Sequence, residues 1–214
     1  MALSKKEIAA LYKKRARNYD WSANLYYLIG FREMYFRRRA AALLNLKPGD
    51  TVVEVGCGTG LNFKFLRDAV GPEGKVIGVD LTPEMLAGAE DRVKRNGWGN
   101  VVLLQGDASE YEFPRGVNGI ISTFAITLMP EYDGIIKNGA EALTPGGRFV
   151  VADFRRPDSW PEWLVRLFVL LIRPFGVTID LAERHPWESI ERYLRVADFE
   201  EHYFRGVYIA AGEK

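Results

Sequence analysis

Between residues 50 and 154 the chain alternates short apolar runs with amphipathic stretches. TVVEV (51–55), KVIGV (75–79), VVLLQ (101–105), GIIST (119–123) and RFVVADF (148–154) are rich in β-branched residues and read as strands. Helices are predicted between them, from about Leu61, from Thr82-Pro83-Glu84, and from about Glu131 to Leu143. Thr82 ahead of Pro83 places a capping hydroxyl before a first-turn proline. The turn Thr144-Pro145-Gly146-Gly147 separates the last of these helices from its strand. Strands that alternate with helices, most of them apolar enough to be covered on both faces, predict a doubly wound α/β fold with a parallel sheet.

The flanks differ. Ile8, Leu11, Tyr12 and Tyr19 recur at helical spacing with Lys5, Lys6, Lys13, Lys14 and Arg17 mostly opposite them, which predicts an amphipathic basic helix. A second helix, FREMYFRRRAAALLNL, is stopped by Lys47-Pro48-Gly49-Asp50. Beyond Pro157 come SWPEWLVRLFVLLIRPFG, a helix near PWESIERYL, and two runs, FEEHYF and GVYIAAG, that pair as a hairpin around Arg205-Gly206 and add antiparallel strands to the sheet edge. With 214 residues and 48% hydrophobic content, the expectation is a single domain, in which basic helices over residues 1–47 cover the site of a core built from residues 48–214.

Charge and cysteine usage narrow the partners. A formal net charge of +1 argues against nucleic acid. The average conceals an asymmetry: residues 1–47 carry eleven Lys/Arg against Glu7, Asp20 and Glu33, a net +8, and the remainder carries 18 basic and 25 acidic residues, a net −7. Cys57 is the sole cysteine, so no intramolecular disulfide or cysteine-rich zinc site can form, and a reducing compartment is expected. MALSKKEIAALYKKRAR lacks the apolar stretch of a secretory signal, which predicts a cytoplasmic protein.

The richest chemistry lies where TVVEV runs into Gly56-Cys57-Gly58-Thr59-Gly60. Glycines after a buried strand let the backbone bend sharply, let a ligand approach closely, and present the N–H groups of the next helix. A dinucleotide fingerprint places its third glycine three residues after the second. Here the glycines alternate and Leu61 stands at that place, so a dinucleotide is the lesser reading. Glu54, ending the first strand and directed towards the crevice, suits a ligand with a sulfonium and an ammonium and would repel a pyrophosphate. Asp80 ends the second strand, where a carboxylate accepts both ribose hydroxyls, and Asp107 follows the third, where a side chain can receive an adenine amino group. Three acidic strand ends around one crevice favour S-adenosylmethionine over a nucleoside phosphate.

VVEVGCGTG, VIGVD, LTPEML, LLQGDA and LTPGGRFVVADF, in that order from about Asp50 to Phe154, resemble the class I S-adenosylmethionine-dependent methyltransferases. The resemblance implies a Rossmann-like, mostly parallel sheet of seven strands with an antiparallel C-terminal strand. It implies that Glu54, Gly56, Gly58 and Gly60 surround the methionine part of the cofactor, Asp80 the ribose, Leu81 and Met85 the adenine, and Asp107 with Ala108 the adenine edge. Thr123, closing GIIST, is placed in the same cofactor set. RNYDWSANLYYLIGFREMYFRRRA resembles a Tyr-Asp segment shared by bacterial phospholipid and betaine-lipid headgroup N-methyltransferases and by quinone-ring C-methyltransferases of the ubiquinone/menaquinone type. In both groups that Tyr helps to close the cofactor site, which assigns the role to Tyr19. The tail, GVTIDLAERHPWESIERYL and YFRGVYIAAGEK, is closer to the lipid-headgroup group and lacks the longer substrate segment and AGF-type stretch of the quinone enzymes.

The expected reaction is therefore N-methylation of a phospholipid headgroup amine such as phosphatidylethanolamine, peripherally at the inner face of the membrane. Quinone-ring C-methylation and a non-catalytic cofactor-binding protein are the alternatives. Methyl transfer depends on alignment and desolvation, so no acid–base triad is needed. Tyr19, Tyr26 or Tyr27 could orient the amine, and Arg32 and Arg155 could hold a phosphate. No metal is expected, since His185 and His202 have no ligand spacing, and His185, before Pro186 at a helix start, reads as structural. WLVRLFVLLI is shorter than the roughly 20 residues of a membrane span. Two placements stay open for it: on a membrane surface with Trp160 and Trp163 at headgroup level and the basic N-terminus drawn to anionic lipid, or against the sheet as a substrate cover.

Overall fold

A computed structural model of the chain describes residues 31–156, 160–172, 181 and 183–214, together with residues 7, 10 and 13. Tyr19, Tyr26 and Tyr27 lie outside the described residues, as does most of the opening helix. Its described members Glu7, Ala10 and Lys13 are helical, and Lys13 pairs with Glu84 at 3.0 Å.

The apolar runs form strands because β-branched side chains fit a pleated, two-sided surface. TVVEV is β1 (Thr51–Val55), and β2 (Lys75–Asp80), β3 (Val101–Gln105), β4 (Val117–Thr123) and β5 (Leu143–Phe154) follow it. Successive side chains leave a strand on opposite faces, and both faces here are covered. Val52, Val76, Ile121 and Val150 pack under α1 (Glu33–Leu43), α2 (Phe63–Val70) and α3 (Pro83–Asn96). Val53, Ile77, Ile120 and Phe149 pack under α4 (Tyr132–Ala142) and α6 (Pro186–Tyr193), with α5 (Glu162–Ile172) lying between these two in the chain. The chain ends in a hairpin of β6 (Arg195–His202) and β7 (Val207–Glu213).

The described residues form one seven-stranded sheet in the order β3-β2-β1-β4-β5-β7-β6. β1 to β5 are parallel, and β7 runs antiparallel between β5 and β6. The expected seven-stranded, doubly wound sheet with an antiparallel C-terminal strand is thus present.

Details depart from the sequence expectation for local reasons. β3 is an edge strand, so Val102 and Leu104 stay more than a third exposed rather than covered. Pairing begins early in β5, at Leu143 with Val117. The segment then slips past Pro145-Gly146, and pairing resumes between Arg148 and Gly119, so the predicted turn lies inside the strand. Thr82 does sit at the N-cap of α3, but its hydroxyl makes no capping bond to the helix. Its backbone N–H instead donates to Asp80 Oδ1 at 2.9 Å.

Candidate cofactor and acceptor site

Strand order reverses between β1 and β4, and a crevice opens beyond their carboxyl ends, where open α/β sheets bind ligands. Its floor is the glycine turn. Gly56 adopts φ +70°, and a Cβ there would stand 2.6 Å from Ala125 Cβ, so only glycine lets the chain leave β1 at this angle. Gly58, at φ +55°, directs its N–H to Asp80 Oδ2 at 2.8 Å. Gly60 serves packing instead: a Cβ there would be 2.4 Å from the Phe63 ring that opens α2, and Gly60 does not line the crevice.

One wall comes from the ends of β2 and β3. Asp80 accepts the N–H groups of Gly58 and Thr82, which fixes its carboxylate at the rim of the turn. Burial pushes its carboxyl up, against the pull of those two N–H groups. Leu81, Met85 and Ala108 line the same wall. Asp107 lines it too, and its Oδ1 is held by the N–H and hydroxyl of Ser109 at 2.9 and 2.7 Å.

The opposite wall follows β4 and is apolar: Phe124, Ala125, Leu128, Met129 and Pro130. Phe124 is in the left-handed region at φ +54°, a strained position for an aromatic residue. Its ring packs on Phe31 and Phe154 and lies beneath the Arg37 guanidinium, 5.4 Å from the ring centroid. Behind this wall, Asp153 at the end of β5 accepts the Thr127 N–H at 3.2 Å, anchoring the 3-10 turn Ile126–Leu128. Burial pushes Asp153 up to about 6, with the N–H groups of Phe154 and Thr127 opposing.

Under the floor runs a buried polar chain. Glu33 and Arg37, one turn apart on α1, form an ion pair with both side chains 5% exposed, and Arg37 Nε is 2.8 Å from Glu33 Oε1. Arg37 also donates to Thr123 Oγ1, which accepts Asn62 Nδ2 at 2.8 Å, and Asn62 donates in turn to Glu54 Oε1 at 2.7 Å. Burial pushes Glu54 up to about 8, although Arg37 and Asn62 pull it down. Oε2 of both Glu33 and Glu54 is buried without a hydrogen-bond partner among the described residues.

Residues 46–172 match the methyltransferase domain family. The chain belongs to this family. The arsenite methyltransferase of Halobacterium salinarum is 34% identical over 122 residues, 56% of this chain and 31% of that protein. The demethylmenaquinone methyltransferase of Geobacillus kaustophilus is 31% identical over 160 residues, 73% of this chain and 67% of that protein. The chain thus matches about a third of the former's length and about two thirds of the latter's. A SAM-dependent methyltransferase from Aquifex aeolicus shares the fold at a TM-score of 0.58, with 22% identity and coverage of 82% of this chain and 88% of that one.

The cofactor is S-adenosylmethionine, and this methyltransferase domain fits it. The Asp80 and Asp107 carboxylates on one wall complement a pair of ribose hydroxyls and an amino group. A guanidinium at the crevice complements a carboxylate. Gly56, Gly58, Asp80, Leu81, Met85, Asp107, Ala108 and Thr123 all line the crevice. Glu54 does not line it, contrary to the expectation of a side chain directed into the cleft: it lies one layer below, tied to Asn62. Sequence reasoning missed Arg37, which sits within FRRRA among arginines that look alike. The available signal was its spacing, four residues after Glu33 on the helix face that also buries Phe36 and Ala40. Arg32 is exposed, and Arg155 is paired with Glu201 and stacked on Trp187, so neither lines the crevice. His185 stacks on Trp187 and contacts Glu188 at 2.9 Å, away from the crevice.

Proposed function

We propose that this methyltransferase N-methylates the headgroup amine of a membrane lipid such as phosphatidylethanolamine, working from the cytoplasmic surface of the bilayer. The observation that carries this reading is α5. Trp163, Leu167 and Leu170, spaced as one helical face, are 66%, 47% and 61% exposed, while Val165 is buried. An apolar helix face left in water is the mark of an interfacial surface. α5 begins eight residues after β5 ends beside the crevice. Among the described residues, no helix is long and apolar enough to cross a membrane, so the contact proposed is with the surface.

When bound, S-adenosylmethionine supplies a methyl group held on a positively charged sulfur. The chain's own residues bind and align. Arg37 would hold the cofactor carboxylate, and Asp80 and Asp107 would receive the ribose and the adenine. Phe124, Leu128 and Met129 would exclude water from the acceptor nitrogen. The acceptor wall carries no titratable side chain among the described residues, which suits an amine that has lost its proton to water before it arrives. Tyr19 and Tyr26 keep the proposed roles of closing the site and orienting the amine.

Quinone-ring C-methylation is the second reading, favoured by the 31% identity to a demethylmenaquinone methyltransferase. Radiolabelled cofactor with liposomes containing either phosphatidylethanolamine or a demethylated menaquinol separates the two. Label in the phospholipid is expected. Label in the quinol alone replaces the first reading with the second, and label in neither, with cofactor bound in calorimetry, leaves a binding protein.

A further inference from the structure

β6 and β7 are joined by Tyr203-Phe204-Arg205-Gly206 on the crevice side of the sheet, because Val207 pairs with Phe154 at the carboxyl end of β5. Tyr203, Phe204 and Arg205 adopt φ of +51°, +54° and +71°, three consecutive side-chain-bearing residues in the left-handed region. Hairpin tips normally give such positions to Gly, Asn or Asp.

The two rings at the tip fare differently. Tyr203 is anchored: its ring lies 5.7 Å from Phe31 and 5.6 Å from Phe36, and its hydroxyl accepts the Arg32 N–H at 3.2 Å. Phe204 is 87% exposed, so no burial within the described chain offsets its strained backbone or its hydration. Basic and amphipathic groups surround it. Arg205 remains 60% exposed although it pairs with Glu201, Arg32 is exposed beside Tyr203, and Tyr35 is 51% exposed against His202. From Tyr203 the rings lead inward through Phe31 to Phe124, which lines the crevice.

We infer that the β6–β7 tip inserts Phe204 into an anionic bilayer, with Arg205 and Arg32 at the lipid phosphates, and so seats the mouth of the crevice on the lipid surface. The exposed guanidinium groups of Arg205 and Arg32, in a chain whose residues 1–47 sum to +8, select the anionic membrane as occupant. The inference rests on the reading of the acceptor as a membrane lipid, and adds the β6–β7 tip to the exposed face of α5 as a second docking element.

Because Cys57 is the sole cysteine and is buried, Phe204→Cys can be labelled selectively with an environment-sensitive fluorophore. Its emission should shift to the blue on vesicles of phosphatidylglycerol and phosphatidylcholine, and much less on phosphatidylcholine alone. Phe204→Gly should weaken binding to the anionic vesicles by about ten-fold, as expected for one interfacial phenyl ring. Its melting temperature should hold or rise, since glycine adopts this φ freely. A label that stays unshifted, whether or not the wild type floats with the vesicles, overturns the inference. So does a shift that follows protein concentration without vesicles, which assigns the tip to a second copy of the chain. Methyl transfer by the wild type to detergent-dispersed phosphatidylethanolamine is a separate readout: its failure removes the acceptor assignment while the vesicle result still judges the tip.

Discussion

Glu54→Gln isolates the carboxylate buried beneath the glycine turn. In the folded protein Glu54 titrates at about 8 against an ordinary 4.5, with burial as the leading cause. Raising the folded pKa of an acid makes the native state bind the proton more tightly than the unfolded state does. The protein is therefore most favoured below the unfolded pKa and loses stability as pH climbs towards the folded one. Between pH 5 and pH 7 the loss from this group alone is about 2.5 kcal/mol, from 1.36 kcal/mol per unit of displacement. In a chain of this size that corresponds to roughly 5–10 °C in melting temperature. Glutamine keeps an acceptor for Asn62 and has no charge to desolvate. It also places an amide N–H₂ where Oε2 has no partner, a penalty of about 1–3 kcal/mol that does not vary with pH. The measurement is therefore the change of the difference with pH: melting of cofactor-free wild type and variant, by scanning calorimetry in matched buffers from pH 5 to pH 8. The variant should gain on the wild type steadily over that range. Asp153, raised to about 6 in both proteins, cancels from the difference. A difference that stays flat, or that moves in favour of the wild type, refutes the account of Glu54 as a carboxylate displaced by burial.

Three further substitutions test the floor of the site. Arg37→Met leaves the Glu33 carboxylate buried without its cation, and a destabilisation of about 3–5 kcal/mol is expected. Adding Glu33→Gln should restore most of that stability while S-adenosylhomocysteine affinity stays about 10- to 100-fold weaker by calorimetry; recovery of both would place Arg37 outside cofactor binding. Gly56→Ala forces a side chain into a φ of +70° with its Cβ 2.6 Å from Ala125, so at least about 1–3 kcal/mol of strain and a loss of S-adenosylhomocysteine binding should follow. Thermal melting and calorimetry on the same preparation check it, and an unchanged midpoint with unchanged affinity contradicts the turn geometry.

The fold was legible in the chain because its strands announce themselves. Val52 and Val53 are both fully buried on opposite faces of β1, and only a strand covered on both sides tolerates such a run. The candidate crevice was legible for a related reason: ligand-facing groups in this architecture sit at strand ends, so counting from TVVEV and KVIGV reaches Gly56, Gly58 and Asp80 directly. Glu54 shows the limit. Its position at a strand end was readable, but whether it faces the ligand or the interior depends on Asn62 and Thr123, which arrive from the N-cap of α2 and from β4.

By itself, then, the sequence determined the parallel sheet, the glycine turn, the acidic strand ends and the excess of positive charge over residues 1–47. Each of these is local: a periodicity, a spacing or a sum along the chain. Tertiary structure alone decided that Arg37, and neither Arg32 nor Arg155, faces the crevice, that Phe124 is strained into its wall, and that Phe204 stands in solvent at a hairpin tip. Those outcomes depend on which side chains from distant segments fill the space around a residue. Arg37 and Thr123 are 86 positions apart, and Tyr203 and Arg32 are 171 apart, so no window along the chain contains both partners.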